Sequence, residues 1–224
     1  LHLTDGAVVY DIGSGTGSVA VENRRIVGKT VHVYAIERKP EAVELLRKNR
    51  EHFHMDNMEI IEALAPEGLE ELPVPTHAFI GGSGGRLMDI LQTLYRKNPH
   101  MRIVINAISM ETIAELQEVL EAFPVEDGEI LQMQVNRVKK LGSYHLPQAE
   151  NPVWICSFTF REGEKGSMDK VKKALLTEEE METGKMEKCR DDRSTGKKDT
   201  THHDRCPEKR QRQDYDHVWI IADF

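Results

Sequence analysis

Three glycines, Gly13, Gly15 and Gly17, follow the short apolar run 8–12. Glycine adopts backbone conformations that other residues rarely adopt, so this spacing predicts a tight turn from a strand into a helix. Such a turn brings backbone N–H groups and the helix N-terminus close to a ligand. Ser14 and Thr16 stand between the glycines. We therefore take residues 13–17, the first glycine loop, as a candidate ligand site.

The spacing of these glycines limits the class of ligand that the loop can bind. Dinucleotide-binding loops follow G-x-G-x-x-G and hold an anionic pyrophosphate, whereas here the third glycine comes early and position 18 is Ser. Asp11 precedes the first glycine, and close-set glycines behind an acidic residue suit the amino and carboxylate ends of S-adenosylmethionine. A nicotinamide cofactor, or a glycine turn without a ligand, remains an alternative from the loop alone.

Glu37 is a further candidate, because it ends the second predicted strand, 24 residues after Gly13. A carboxylate in this place accepts hydrogen bonds from ribose hydroxyls in nucleotide-binding folds. The alternative is a surface glutamate paired with Arg38. Together with the first glycine loop, Glu37 favours S-adenosylmethionine as the cofactor.

A second glycine-rich segment lies at the end of the fourth predicted strand. Its sequence is Phe-Ile-Gly-Gly-Ser-Gly-Gly, at 79–85. Ligands of open α/β sheets bind where the strand order reverses, beside this segment. Its open space and N–H groups suit a bulky substrate with carboxylates. We expect substrate contacts at Gly82, Ser83 and Gly84, and at Asn106 after the fifth strand. A flexible loop without a ligand is the alternative.

The elements that position these residues follow from hydrophobic periodicity. Short β-branched runs alternate with amphipathic helices, which predicts a parallel sheet covered on both faces. We expect five βα units, with strands at 8–12, 30–36, 58–61, 77–80 and 102–107 and with helices near 18–25, from Pro40, and at 86–94 and 111–122.

Two strand-like runs, 129–137 and 153–160, follow the βα units, with a long hairpin or loop at 142–152 between them. A dinucleotide-binding fold would continue with a sixth βα unit. The order predicts an α/β fold of the class I S-adenosylmethionine-dependent methyltransferase type. Its Rossmann-like sheet would have seven mostly parallel strands, the last one antiparallel.

Charge divides the chain into two parts. Residues 1–160 carry 15 Lys and Arg against 22 Asp and Glu, a net charge of −7. This acidic part argues against nucleic acid as a partner. Residues 161–224 are rich in charge without apolar periodicity, so we expect a methyltransferase domain followed by a disordered tail with at most a short helix at 168–181.

Composition argues against a membrane-spanning protein and against a disulfide-rich protein. No run reaches the roughly 20 apolar residues of a membrane span, and three cysteines are too few for a disulfide framework. We expect a cytoplasmic protein, with an N-terminal segment missing because the chain begins with Leu1. The tail contains four potential zinc ligands, Cys189, His202, His203 and Cys206. Their spacing does not match the ligand pairs of known zinc sites, so we predict no metal site.

Several segments occur in one order that closely resembles the decarboxylating precorrin methyltransferases of cobalamin biosynthesis. The resemblance covers about residues 1–160, and the segments at 79–85 and 104–107 are its most specific part. The segments are Asp-Ile-Gly-Ser-Gly-Thr-Gly-Ser-Val-Ala-Val-Glu (11–22), Ala-Ile-Glu-Arg (35–38), Ala-Pro-Glu (65–67), Phe-Ile-Gly-Gly-Ser-Gly-Gly (79–85), Val-Ile-Asn-Ala (104–107) and Asn-Pro-Val (151–153).

The resemblance implies methylation of a corrin precursor at carbon 15, with loss of CO₂ from the acetate on carbon 12. It implies S-adenosylmethionine as cofactor, a tetrapyrrole as substrate and a homotetramer. Whether the substrate carries cobalt, and whether a second methylating domain lies upstream, stay open. The implied cofactor contacts are Gly13, Ser14, Gly15, Thr16, Gly17, Glu37 and Ala65.

The chain departs from the family pattern in places. The family usually begins with a Thr-Lys segment, and many members have Gly-Asp where this chain has Ala63 and Leu64. A carboxylate for the adenine amine is therefore absent. The tail also matches nothing expected of the family.

No catalytic residue is assigned from the sequence. Arg86 or Arg137 could pair substrate carboxylates, although a solvated surface charge is the favoured interpretation of each. Tyr144 and His145 could donate a proton, although residues in such a loop are more often structural. A methyltransferase for another small molecule and a noncatalytic S-adenosylmethionine-binding subunit remain alternatives.

Overall fold

The computed structural model describes residues 1–163. Nine strands and four helices lie in this part of the chain. In order they are β1 (Val8–Ile12), α1 (Ser18–Val27), β2 (His32–Glu37), α2 (Pro40–His52), β3 (Met58–Glu62), β4 (His77–Ile80), α3 (Leu87–Lys97), β5 (Arg102–Ala107), α4 (Met110–Ala122), β6 (Val125–Met133), β7 (Asn136–Leu141), β8 (Tyr144–Ala149) and β9 (Val153–Phe160).

Seven strands form one sheet in the order β3-β2-β1-β4-β5-β9-β6. The strands from β3 to β5 are parallel, and β9 runs antiparallel to both of its neighbours. The predicted seven-stranded sheet with an antiparallel last strand is confirmed. The sequence order of the strands reverses between β1 and β4, so the loops after these two strands flank the crevice at the carboxyl edge of the sheet.

The central strands are buried because helices cover both faces. All four residues of β4 are buried, and Val9 and Ile12 of β1 are almost fully so. Helix α2 begins with Pro40, as predicted, and packs Val43 and Leu46 into the core. Leu45 of the same helix is about half exposed.

The expectation of five βα units is wrong at the third strand. Turns without a helix connect β3 to β4 within the described residues. Pro66, Pro73 and Pro75 lie in this connection, and each removes a backbone donor that a helix interior needs. The first part of the connection, residues 63–68, is called the β3–β4 turn below.

The late strands also differ from the prediction. Strand β6 begins at Val125 and ends at Met133, so the run 129–137 is not one strand. Residues 136–149 instead form a separate two-stranded hairpin, β7 with β8, whose turn contains Gly142 at φ 62°. Every residue of this hairpin arm is exposed. Period-2 patterning alone could not tell a strand that joins the sheet from one that leaves it.

The structure bears on the membrane and metal predictions only for residues 1–163. Among residues 1–163, no helix combines the length and apolar character that crossing a membrane requires. The same residues contain no cluster of metal-ligating side chains. The predicted tail, its short helix and its Cys and His set lie outside the described residues, apart from residues 161–163.

Candidate functional site

The two glycine loops meet at the carboxyl edge of the sheet. The amide of Gly81 donates to the carbonyl of Ile12 at 2.9 Å, extending the pairing of β1 with β4. At Gly13, where φ is +70°, a Cβ would lie 2.8 Å from both the nitrogen and the carbonyl oxygen of Gly82. Only glycine fits this contact. The sheet therefore brings residues 13–17 and the second glycine loop, residues 81–85, into direct backbone contact.

The amides of the first glycine loop bond inside the protein. Those of Gly13 and Ser14 both donate to the carbonyl of Ile36, at 2.9 and 3.1 Å. The amide of Gly17 donates to the Ser14 carbonyl at 2.9 Å. We expected these groups to face a ligand, but they fix the loop against β2. What the loop offers to a ligand is space, since a Cβ on Gly15 would meet nothing within 4 Å.

Glu37 is buried at the end of β2 and joins three parts of the backbone. Its Oε2 accepts a hydrogen bond from the amide of Gly15 at 2.9 Å. Its Oε1 accepts from the amides of Arg38 and Lys39, each at 2.9 Å. Its burial does not fit the alternative of a surface glutamate. Each carboxylate oxygen has two lone pairs, so Oε2 keeps capacity for a ribose hydroxyl.

Asp11 is fully buried behind the first glycine loop. Its Oδ2 accepts a hydrogen bond from the Ser14 hydroxyl at 2.7 Å, whereas Oδ1 has no close hydrogen-bond partner among the described residues. Burial raises the pKa of Asp11 to about 6, against the opposing effect of the Ser14 hydroxyl and the nearby Ala20 amide. The charge of Glu37 raises it further. This carboxyl therefore titrates just below neutral pH.

Two residues of α2 support the first glycine loop, and the sequence analysis did not single them out for it. Nδ2 of Asn49 donates to the carbonyl of Thr16 at 2.8 Å. A Cβ on Gly17, where φ is +81°, would lie 2.3 Å from Cδ1 of Leu46. No local pattern marks Asn49, because its partner is 33 residues away in the chain. The hydroxyls of Thr16 and Ser18 lie 2.9 Å apart at the start of α1.

The predicted substrate residues lie on the opposite side of the crevice. A Cβ on Gly82 would meet nothing within 4 Å, so this position faces open space. Ser83 is buried and accepts a hydrogen bond from the Gly85 amide at 3.3 Å. Asn106, at the end of β5, is half-buried, and its side-chain amide makes no hydrogen bond to any other described residue. Gly82 and Asn106 thus have groups left for a ligand, whereas Ser83 supports its own loop.

Ala65 lies in the β3–β4 turn and is buried. The amide of Ala63 donates to the carbonyl of Glu37 at 3.1 Å, which places this turn next to the end of β2. Leu64 is about one third exposed, and its Cδ1 lies 3.3 Å from where a Cβ of Gly84 would stand. An apolar side chain thus stands beside the crevice where a carboxylate was expected from the family pattern.

The two candidate arginines are already paired. Arg86 donates to Glu67, and Arg137 donates to Glu150 across the start of the hairpin arm. Tyr144 and His145 lie exposed on the arm. The pairing of both arginines within the chain favours the interpretation of each as a charge of the protein surface.

The two glycine loops leave room for a ligand at the carboxyl edge of the sheet. Open space at Gly15 and Gly82 lies on the two sides of a crevice whose floor is the Gly13–Gly82 contact. Cβ atoms at those two positions would enter this space, and the buried carboxylate of Glu37 bonds to the amide of Gly15 beside it. Sheet order and loop positions together define a class I methyltransferase. A methyltransferase from Thermotoga maritima, described as an S-adenosylmethionine-dependent O-methyltransferase, has this fold with a TM-score of 0.60 at 16% identity.

The chain belongs to the precorrin methyltransferase domain family, whose model matches residues 1–159. Its relatives include two probable cobalt-precorrin-6B C(15)-methyltransferases (decarboxylating). The protein from Pyrobaculum calidifontis is 35% identical over 156 residues, which are 69% of this chain and 80% of the relative. The protein from Sulfolobus acidocaldarius is 40% identical over 152 residues, which are 67% and 78%.

Solved structures agree with this assignment. A precorrin-6Y C5,15-methyltransferase from Geobacter metallireducens is 34% identical, with a TM-score of 0.65 over 71% of this chain and 83% of that chain. A structure described as precorrin 8W decarboxylase, from Methanobacterium thermoautotrophicum, is also 34% identical, with a TM-score of 0.60 over 69% and 82%. The resemblance drawn from the sequence is therefore confirmed.

Proposed function

We propose that this chain uses S-adenosylmethionine to methylate carbon 15 of a corrin precursor and removes CO₂ from the acetate on carbon 12. The names of the relatives support the reaction type. The observation that carries the proposal is the backbone contact of Gly13 with Gly82, because it joins the loop that we assign to the cofactor to the loop that we assign to the substrate.

The cofactor contacts follow the first glycine loop. Gly13 to Gly17 would surround the amino-acid end, Glu37 would accept ribose hydroxyls through Oε2, and Ala65 would pack on the adenine. Leu64 stands where many family members have a carboxylate, so the adenine side of the crevice would be apolar. We therefore expect adenine to be held by packing and backbone contacts.

The protein's main contribution to the reaction is orientation. Bound S-adenosylmethionine would supply an electrophilic methyl group. The conjugated macrocycle would provide the nucleophilic carbon and take up the electron pair released with CO₂, and a proton from solvent would convert the remaining CH₂ group into a methyl group. Alignment of two reactants can lower the barrier by about 7–11 kcal/mol. Gly82, Gly84 and the free amide of Asn106 would hold the macrocycle in line.

We propose a homotetramer, supported by the hairpin arm. The arm and the adjoining edge strand expose apolar side chains that a monomer has no reason to present to water. We propose that a second copy of the chain covers these side chains, because the family resemblance implies a homotetramer. The exposed side chains are Ile130, Leu131, Met133, Val135, Val138, Leu141, Tyr144 and Leu146.

Mass spectrometry of the product tests the reaction. Incubation with S-adenosylmethionine and a cobalt or metal-free corrin precursor should give a product with one methyl group more and one CO₂ less. Transfer of a methyl group without CO₂ loss would contradict the decarboxylation. Binding without turnover would identify a noncatalytic subunit instead.

Glycine replacements test where the ligands bind. Gly15→Asn fills open space at a φ of +57° that Asn tolerates, so it should weaken S-adenosylmethionine binding in calorimetry by about tenfold or more. Gly6→Asn is the matched control, because Gly6 has a φ of +76° and equally open surroundings away from the crevice. Equal affinity of both variants would contradict the cofactor assignment.

A further inference from the structure

We infer that Glu67 and Arg86 are positioning residues for the reaction. Their ion pair joins the β3–β4 turn to the second glycine loop and so fixes the macrocycle side of the crevice relative to the cofactor side. This inference rests on the proposed function, because that function assigns the two sides to their ligands. It goes beyond it by giving a role to a surface ion pair that touches neither ligand.

The contact between the two side chains is close and specific. Nη1 of Arg86 donates to both carboxylate oxygens of Glu67, at 2.7 and 2.6 Å. These hydrogen bonds lower the pKa of Glu67, so the carboxylate stays charged. Nε of Arg86 also contacts Asp89 of α3 at 3.4 Å. Arg86 immediately follows the second glycine loop and precedes α3, so whatever holds it also holds the end of that loop.

An apolar contact between Leu64 and the second glycine loop accompanies the ion pair. Leu64 approaches Gly84, with 3.3 Å between its Cδ1 and the Cβ position of that glycine. Leu64 and Glu67 belong to one tight turn, because the Glu67 amide donates to the Leu64 carbonyl at 3.1 Å. One turn therefore approaches the second glycine loop at Gly84 and holds Arg86, the residue that follows the loop.

These contacts complete a ring around the crevice. Gly15 bonds to the carboxylate of Glu37, and the carbonyl of Glu37 accepts from Ala63 at the start of the β3–β4 turn. The pair Glu67–Arg86 connects that turn to the second glycine loop. The contact of Gly82 with Gly13 leads back to the first glycine loop.

The ion pair is the exposed member of this ring. The side chain of Arg86 is 31% exposed and that of Glu67 is 59% exposed, whereas the other contacts involve backbone atoms or the buried Glu37. An exposed pair adds little to the stability of the fold. Small displacements in a bound reactant pair, however, reduce rates strongly. Loss of this pair should therefore impair alignment while the domain stays folded.

The experiment compares three variants of the full chain with the wild type. Arg86→Gln and Glu67→Ala break the pair, and Arg86→Lys keeps a cation that can still reach Glu67, because a single nitrogen of Arg86 makes this contact. Arg96→Gln is the matched control. It breaks the pair of Arg96 with Glu70, which also joins α3 to the β3–β4 connection but is 60% and 66% exposed and lies at the far end of the helix.

We expect Arg86→Gln and Glu67→Ala to lower kcat by about tenfold with little change in the Kd for S-adenosylmethionine. Hydrogen exchange at the amides of residues 82–85 should become faster in the same two variants. Arg86→Lys should restore most of kcat, and Arg96→Gln should match the wild type.

The outcomes separate the two proposals. A wild type that neither binds S-adenosylmethionine nor turns over the precursor contradicts the proposed function. An active wild type whose Arg86→Gln variant matches Arg96→Gln in kcat and in hydrogen exchange overturns the positioning role. A loss of kcat that Arg86→Lys does not restore would also overturn it, since the charge contact to Glu67 would then not be the cause.

Discussion

Gly13 and Gly82 touch through their backbones at the carboxyl edge of the sheet, where a Cβ on Gly13 would lie 2.8 Å from two backbone atoms of Gly82. The contact joins the loops after β1 and β4 without any side chain. Because neither partner is the end of a flexible side chain, the structure has no inexpensive way to accommodate even one methyl group here.

Gly13→Ala should therefore destabilise the domain by about 1–3 kcal/mol, because it combines a left-handed φ with a backbone clash. Urea denaturation measures the free energy of unfolding. Gly6→Ala is the control, because its φ of +76° imposes the same conformational strain in open surroundings. If both variants lost the same stability, the clash with Gly82 would have no energetic weight.

Asp11 makes the stability of the domain depend on pH. Its pKa is raised from 3.8 to about 6, so between these values the folded state holds a proton that the unfolded chain has released. The free energy of unfolding of the wild type must then fall as pH rises through this window, and it stays lower above it.

Asp11→Asn removes this dependence while the amide oxygen can still accept the Ser14 hydroxyl. The variant should gain stability over the wild type from about pH 4 to 6, reaching on the order of 3 kcal/mol at neutral pH. Urea titrations at several pH values give the difference. A difference that does not change across the window would show that Asp11 titrates normally.

Asn49 should affect ligand binding more than its place in the middle of a helix suggests. Asn49→Ala removes the hydrogen bond to the carbonyl of Thr16, so the first glycine loop should become less ordered. We expect a severalfold weaker affinity for S-adenosylmethionine in calorimetry and a loss of about 1 kcal/mol in stability.

Asn98→Ala is the control for this variant. Its Nδ2 donates to the carbonyl of Pro75 at 2.8 Å, at the opposite edge of the sheet. The control should lose similar stability and keep the affinity. Equal affinities in both variants would exclude a role of Asn49 in binding.

The hairpin arm should control assembly. Leu141 is 69% exposed near the tip of the arm, and Leu141→Glu places a charge in the proposed contact between copies. Sedimentation velocity should show smaller species than for the wild type. Ile26→Glu is the control, since Ile26 is 77% exposed on α1 and outside the arm. A wild-type monomer, or an unchanged assembly of Leu141→Glu, would contradict the proposal.

The sequence predicted the sheet and the places of both glycine loops well, because buried parallel strands leave a strong apolar pattern. It also located Glu37 at the end of β2. What it could not predict was the second use of that carboxylate, which holds the backbone of Gly15. Position along a strand follows from periodicity, but hydrogen-bond partners depend on which loops the fold brings together.

The side-chain contacts around the crevice could not be predicted from the sequence either. Glu67 was visible in a motif and Arg86 as a charge after glycines, yet nothing in their types indicates that they pair across 19 positions. The hairpin arm was anticipated only in part, because its alternating residues resemble those of a strand in the main sheet. The described residues include only 161–163 of the predicted tail, so its disorder and the domain boundary remain predictions.

Strand β9 has a consequence for how the chain acquires its structure during synthesis. It pairs with both β5 and β6, and its residues 153–160 emerge after both of them. Until then β6 has no partner in the sheet, and the outer edge of β5 stays open. Pairing over such separations is slow, and open edges favour contacts with other chains. A ribosome-bound nascent chain ending before residue 153 should therefore hold the finished parallel strands β1 to β5 beside an unfinished edge.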